Sequence, residues 1–179
     1  MRILSWWNQF KLRTQNIKKR YRVLPPVPDK VFTDPLYFFA FGLGSGAASV
    51  APGTFGTLMA IPIFLLIQPL SLSAYLFFVF IFILVSAWVS DRVSREIGVH
   101  DHPGMCIDEF AGFFVTMIGA PQGFVWILLG FLLFRFFDIW KPWPISWVDE
   151  KVSGGLGMIL DDVVAGLFAM IVMALIRLI

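Results

Sequence analysis

Ala120-Pro121-Gln122-Gly123 interrupts an apolar stretch that otherwise runs from Phe110 to Phe137, and the reading of this break decides the fold. One helix carried through it would set Asp108 and Asp138 at opposite ends. A hairpin turning at Pro121 brings them to the same end, because proline and glycine end helices and favour reversals. The two arms, 110–119 and 124–137, are short for spanning a bilayer and are expected to tilt or to lie over a thinned site.

The outgoing arm ends in Phe134-Arg135-Phe136-Phe137-Asp138-Ile139-Trp140-Lys141-Pro142-Trp143-Pro144. Arg135 and Asp138 are i,i+3 neighbours on a helix and share one face. Pro142 disfavours helix at Lys141, so the helix is expected to end there, with the lysine in a bend. Trp140, Trp143 and Trp147 suit a membrane–water boundary, where an indole keeps its ring in lipid and its N–H near water. A snorkelling interfacial anchor would explain these residues without any chemistry. Ionisable groups at membrane depth nevertheless mark function by default, and their partners must be sought elsewhere in the chain.

Composition sets the class. Of 179 residues, 58% are hydrophobic, 17% aromatic and 15% charged, and the mean hydropathy is +0.80. Soluble domains carry about 25% charged residues, so an all-α integral membrane protein is expected, a compact bundle of short transmembrane and half-spanning helices. The formal charge of +2 hides an asymmetry: residues 1–30 hold 8 of the 14 basic residues and 1 of the 12 acidic ones. This divides the chain into a basic N-terminal arm, 1–34, and a membrane-embedded catalytic domain, 35–179. The arm reads as cytoplasmic by the positive-inside rule and suits anionic headgroups. It lacks an early apolar core and a cleavage site, so it is not read as a signal peptide. A surface helix over residues 3–20 would present Trp6, Trp7, Phe10 and Leu12 to the membrane. The single Cys106 excludes an intrachain disulfide, and no nucleic-acid partner is expected.

Between arm and break lie a glycine-rich stretch and a helical hairpin. Gly42-Leu43-Gly44-Ser45-Gly46 and Ala51-Pro52-Gly53-Thr54-Phe55-Gly56-Thr57 suit close packing of helices through small residues better than anion binding at the helix start near Thr54. The runs 55–67 and 72–89 follow, and only the second reaches the ~18 residues of a full span. Two crossings return the chain to the cytoplasmic side at Asp91. The polar loop 91–108 carries His100 and His102, a pair able to ligate metal but in an exposed loop more often solvated. Asp108-Glu109 opens the next apolar run, where acids also complement a helix dipole. Asp149-Glu150-Lys151 reads as a solvated turn. Gly154-Gly155-Leu156-Gly157 then enters the last apolar helix, which contains Asp161-Asp162 in its first turns. Adjacent helical residues point about 100° apart, so this pair can address two metals, or a metal and a lysine.

On the hairpin topology Asp108, Glu109, Asp138, Asp161 and Asp162 converge, with Arg135 and Lys141 among them. Clustered carboxylates without cysteine suit a hard oxygen-seeking cation such as Mg²⁺. Such a metal with cations beside it equips a site for phosphoryl transfer. Arg135 and Lys141 are the expected phosphate ligands, joined by Gly154 and Gly155 at a helix start and by His100. Physics alone reaches a metal-dependent enzyme acting on a phosphorylated, membrane-resident substrate.

The chain from Gly42 to about Gly166 resembles the phosphatidylglycerophosphatase A family, in the glycine-rich segments above and in Gly98-Val99-His100-Asp101-His102 and Asp108-Glu109-Phe110-Ala111-Gly112. The central stretch 134–144 and Gly154 through Gly166 complete the series, in the family's order. The resemblance implies Mg²⁺-dependent hydrolysis of phosphatidylglycerophosphate to phosphatidylglycerol and inorganic phosphate at the cytoplasmic face of a bacterial inner membrane. It maps the catalytic acids onto Asp108, Glu109, Asp138, Asp161 and Asp162, with Glu109, Asp138 and Asp162 as metal ligands. Two alternatives are an ion or metal transporter, whose acids should be strung along several spans, and another lipid phosphotransferase. The CDP-alcohol type of the latter needs an Asp-Gly…Ala-Arg…Gly…Asp…Asp signature absent here.

Overall fold

Helices and short 3-10 turns make up all regular structure among the described residues, 26–99 and 102–178, of the computed structural model. The surface helix expected over residues 3–20 lies outside them. A 3-10 turn at Asp29–Phe32 precedes α1, Pro35–Ala40, which is capped by the Asp34 carboxylate accepting from the Leu36 N–H at 2.8 Å. Val31 is fully buried against a cluster that includes Tyr37, Phe41, Val89 and Val93, so the folded body begins before Pro35.

The glycine-rich turn then leads to α2, Pro52–Ile67, and the Ser71 hydroxyl caps α3, Leu72–Ile97. The apolar signal of α3 fades at Val89, yet the helix runs eight residues further, and the loop expected from Asp91 begins only at Gly98. Ion pairs at i,i+4 spacing, Asp91 with Arg95 at 2.6 Å and Arg92 with Glu96 at 2.7 Å, line this polar extension. Gly98, with φ of 73°, takes the left-handed conformation that ends it.

Helix α4, Ile107–Thr116, and α5, Phe124–Trp140, form the expected hairpin around the break at 120–123. Helix α5 stops at Trp140, and Lys141 follows in a left-handed bend, outside the right-handed helical region that Pro142 disfavours. A correction comes next: Asp149-Glu150-Lys151 closes a helix, α6, Ile145–Lys151, rather than a solvated turn. Ile145 is fully buried, which ties this helix down to α7, Gly154–Ile176.

Helix α7 is the axis on which α3, α4, α5 and α6 pack. Helix α4 is only about 15 Å long, at about 1.5 Å per residue. It is apolar nearly all round, with Phe110, Phe113 and Phe114 wholly buried. It crosses α7 backbone to backbone: a Cβ at Gly166 would strike the Gly112 carbonyl, and one at Gly112 would sit 2.7 Å from the Asp162 carbonyl oxygen. At its far end the Tyr75 hydroxyl donates to the Phe114 carbonyl at 2.7 Å. Helices α3 and α7 are each long and apolar enough to cross a membrane, and α3 leaves Phe77, Phe80 and Trp88 exposed.

Candidate active site

The Gly112–Gly166 crossing fixes where the carboxylates lie. Asp108 and Glu109 occupy the first turn of α4, and Asp162 precedes Gly166 by one turn on α7. One oxygen of each of Asp108, Glu109 and Asp162 lies within 4.8 Å of the others. The Glu109 N–H donates to Asp108 Oδ1 at 3.1 Å. Glu109 Oε2 is buried with no hydrogen-bond partner among the described residues. An orphaned buried oxygen is costly unless a cation or donor meets it.

Helix α5 brings Arg135 and Asp138 alongside. Arg135 Nη1 is 2.5 Å from Asp138 Oδ2 and 3.5 Å from Glu109 Oε1, with all three side chains at most 14% exposed. This contact joins the two ends of the hairpin, as the break at Pro121 implies. Of the expected metal ligands, Glu109 and Asp162 lie in this tight triplet together with Asp108, and Asp138 lies outside it. Asp138 is drawn instead to the guanidinium one turn before it.

Asp161 and Asp162 diverge as helix geometry requires. Asp162 joins the acidic triplet, while Asp161 Oδ2 meets Lys141 Nζ at 2.5 Å. Lys141 is held on its other side by Asp149 Oδ1 at 2.9 Å. Burial by itself would lower the ammonium's pKa, but the carboxylates of Asp161 and Asp149 outweigh it and hold the group above the ordinary lysine range. Asp161 Oδ1, buried, has no hydrogen-bond partner among the described residues. Among the described residues, six carboxylates thus meet two cationic side chains. Such an excess of buried negative charge calls for a further cation.

Other expected residues fall elsewhere. Gly154 and Gly155 begin α7, but the Gly155 N–H points to Asp91 Oδ1 at 3.4 Å and its Cα packs on α3, leaving no room for a Cβ. His100 lies outside the described residues. His102 is not solvated: it is 1% exposed, its Nδ1 accepts from the Gly104 N–H at 3.0 Å, and its ring lies against Phe41. The glycine-rich stretch packs, as its small residues suggest. A Cβ at Gly46 would strike the Gly104 carbonyl, and one at Gly56 would press Cys106. Burial pushes the Cys106 thiol well above the ordinary range.

Two contributors escaped the sequence reading. Asp149 reaches Lys141 across two prolines, a separation with no helical period. A Cβ at Gly53 would collide with Glu109 Oε1 and sit 3.2 Å from Arg135 Nη1, so this glycine makes room for the site itself. Its place in Ala51-Pro52-Gly53-Thr54-Phe55-Gly56-Thr57 is the signal that could have found it.

A family model described as phosphatidylglycerophosphatase A matches residues 38–177. Phosphatidylglycerophosphatase A of Escherichia coli (strain K12) is 38% identical over 138 residues, 76% of this chain and 80% of that relative. Its namesake from Haemophilus influenzae is 39% identical over 141 residues, 78% and 86% of the two chains. A relative from Bacteroides thetaiotaomicron, provisionally named a phosphatidylinositol-3-phosphatase, is 32% identical over 144 residues, 76% and 89%. No solved structure matches the chain.

Proposed function

The chain belongs to the phosphatidylglycerophosphatase A family, and from that premise we propose that it hydrolyses phosphatidylglycerophosphate to phosphatidylglycerol and inorganic phosphate in phospholipid biosynthesis. It is a phosphatase, and its acidic end is the reaction site. The observation that carries this assignment of the site is the Asp108–Glu109–Asp162 triplet, with Glu109 Oε2 unpartnered beside Arg135.

The donors fit Mg²⁺: all are carboxylate oxygens, converging, and in excess over their cationic partners. Asp108, Glu109 and Asp162 would hold the ion. When bound, it supplies Lewis-acid polarisation of the phosphoryl group. Arg135, oriented by Asp138, and Lys141, held by Asp161 and Asp149, bring positive charge to the oxygens of the substrate phosphate. Gly154, Gly155 and His100 belong to the phosphate-binding proposal on sequence grounds alone.

The membrane setting is also proposed. Helices α3 and α7 span the bacterial inner membrane, while α4 and α5 form a shorter hairpin between them. The basic residues of 1–30 favour a cytoplasmic acidic end. In a Cys106→Ser background, Asp149→Cys should then label from the cytoplasm and Gln122→Cys from the opposite face, or poorly where the hairpin turn is buried. Labelling of both from one face overturns this placement.

Phosphate release from purified protein tests the function. Phosphatidylglycerophosphate should be turned over with Mg²⁺, abolished by EDTA and restored by added Mg²⁺. Full activity in EDTA overturns the metal. The Bacteroides relative's name favours one second reading, a phosphoinositide substrate, also a phosphomonoester on a lipid. Faster release from phosphatidylinositol 3-phosphate in the same assay would establish it.

A further inference from the structure

The Lys141 ammonium is gripped from two helices at once. Asp161 reaches it from the buried face of α7 and Asp149 from α6. The two carboxylates differ in setting, since the Asp149 side chain is 41% exposed and that of Asp161 is 9%. Asp149 is aimed by its own helix: Ile145, four residues earlier on the same face, is fully buried and pins α6 in place. Lys141 itself adopts φ of 44° and ψ of 58°, a left-handed conformation that a non-glycine residue keeps only where its surroundings hold it.

We propose that Asp149 is a positioning residue, which holds Lys141 Nζ where the oxygens of the substrate phosphate arrive and touches no reacting atom itself. The inference rests on the phosphatase reading of the site. A lysine stem has four rotatable carbons, and its ammonium is a compact charge without a preferred plane. One carboxylate fixes its distance from α7 but leaves the stem free to swing. A second, approaching from α6, fixes its direction. A stabilising role explains the pair less well, because an ion pair this open to solvent adds little to folding.

The test compares Asp149→Asn with Asp149→Glu in the full-length protein, in the wild-type and Lys141→Met backgrounds. Phosphatidylglycerophosphate turnover by the wild type is measured first; its absence overturns the phosphatase reading rather than Asp149's part in it. With turnover present, Asp149→Asn should lower kcat/KM about tenfold, and Asp149→Glu, which keeps the charge, should recover to within about threefold. Both variants should melt within about 3 °C of the wild type. In Lys141→Met the asparagine substitution should change the residual activity less than about twofold, because the lysine it acts through is gone. Wild-type activity in Asp149→Asn, or a glutamate variant as impaired as the asparagine one, overturns the inference. So does an equal fold-loss in both backgrounds. If Lys141→Met has no measurable turnover, the comparison of asparagine with glutamate decides alone.

Discussion

The acidic triplet and the glycine crossing lie one helical turn apart on the same two helices, and they impose opposite demands. At the crossing, Gly112 and Gly166 let the backbones of α4 and α7 touch, and nothing larger fits. One turn towards the ends, Asp108, Glu109 and Asp162 gather like charges that would rather separate. The first contact makes the second tolerable. Dispersion and close packing in the middle of the pair hold together what electrostatics at its end pushes apart. The spacing of the carboxylates is therefore a property of two glycines that carry no chemistry.

The comparison breaks hardest at its charged end. Glu109→Gln and Asp162→Asn keep shape and remove charge, and each should reduce phosphate release on the order of 10²-fold or more. Each should also leave the protein folded, because like-charge repulsion is relieved. Near-normal turnover in a folded variant would place the site elsewhere. Asp138→Asn, which releases Arg135, belongs with them.

At the packed end the expected effect is smaller and of another kind. Gly166→Ala forces α4 and α7 apart and should cost about 1–3 kcal/mol of stability as overpacking. It should also lower activity, about tenfold, because the triplet spreads. If the variant loses stability and keeps full activity, the glycines do not set the carboxylate spacing. Thr116→Val sharpens the comparison at its mildest. The Thr116 hydroxyl donates to the Gly112 carbonyl at 2.9 Å beside the crossing, and its loss should cost about 1 kcal/mol in thermal or denaturant unfolding with activity nearly intact. A tenfold activity loss there would show that the crossing tolerates no softening at all.

Much of this arrangement is legible in the sequence because it is local. Pro121 and Gly123 mark the hairpin, Pro142 ends α5 at Trp140, and adjacency alone makes Asp161 and Asp162 part ways. What escapes depends on contacts between distant segments. The polar end of α3 reads as a loop by hydropathy, since its helix is lined by charge pairs rather than an apolar face. His102 reads as solvated until Phe41 is seen to cover it. The pairing of Arg135 with Asp138 follows from their spacing, but that Asp108 on α4 meets Asp162 on α7 appears only in three dimensions.

Tyr75 carries a consequence for how so short a helix survives indoors. The last carbonyls of any helix look for donors, and in lipid or a dry core no solvent supplies them. By giving its hydroxyl to Phe114, Tyr75 on α3 satisfies one of those carbonyls. Helix α4 can thus stop inside the packed core without inviting water down its axis, and the acids at its other end rest on a sealed floor.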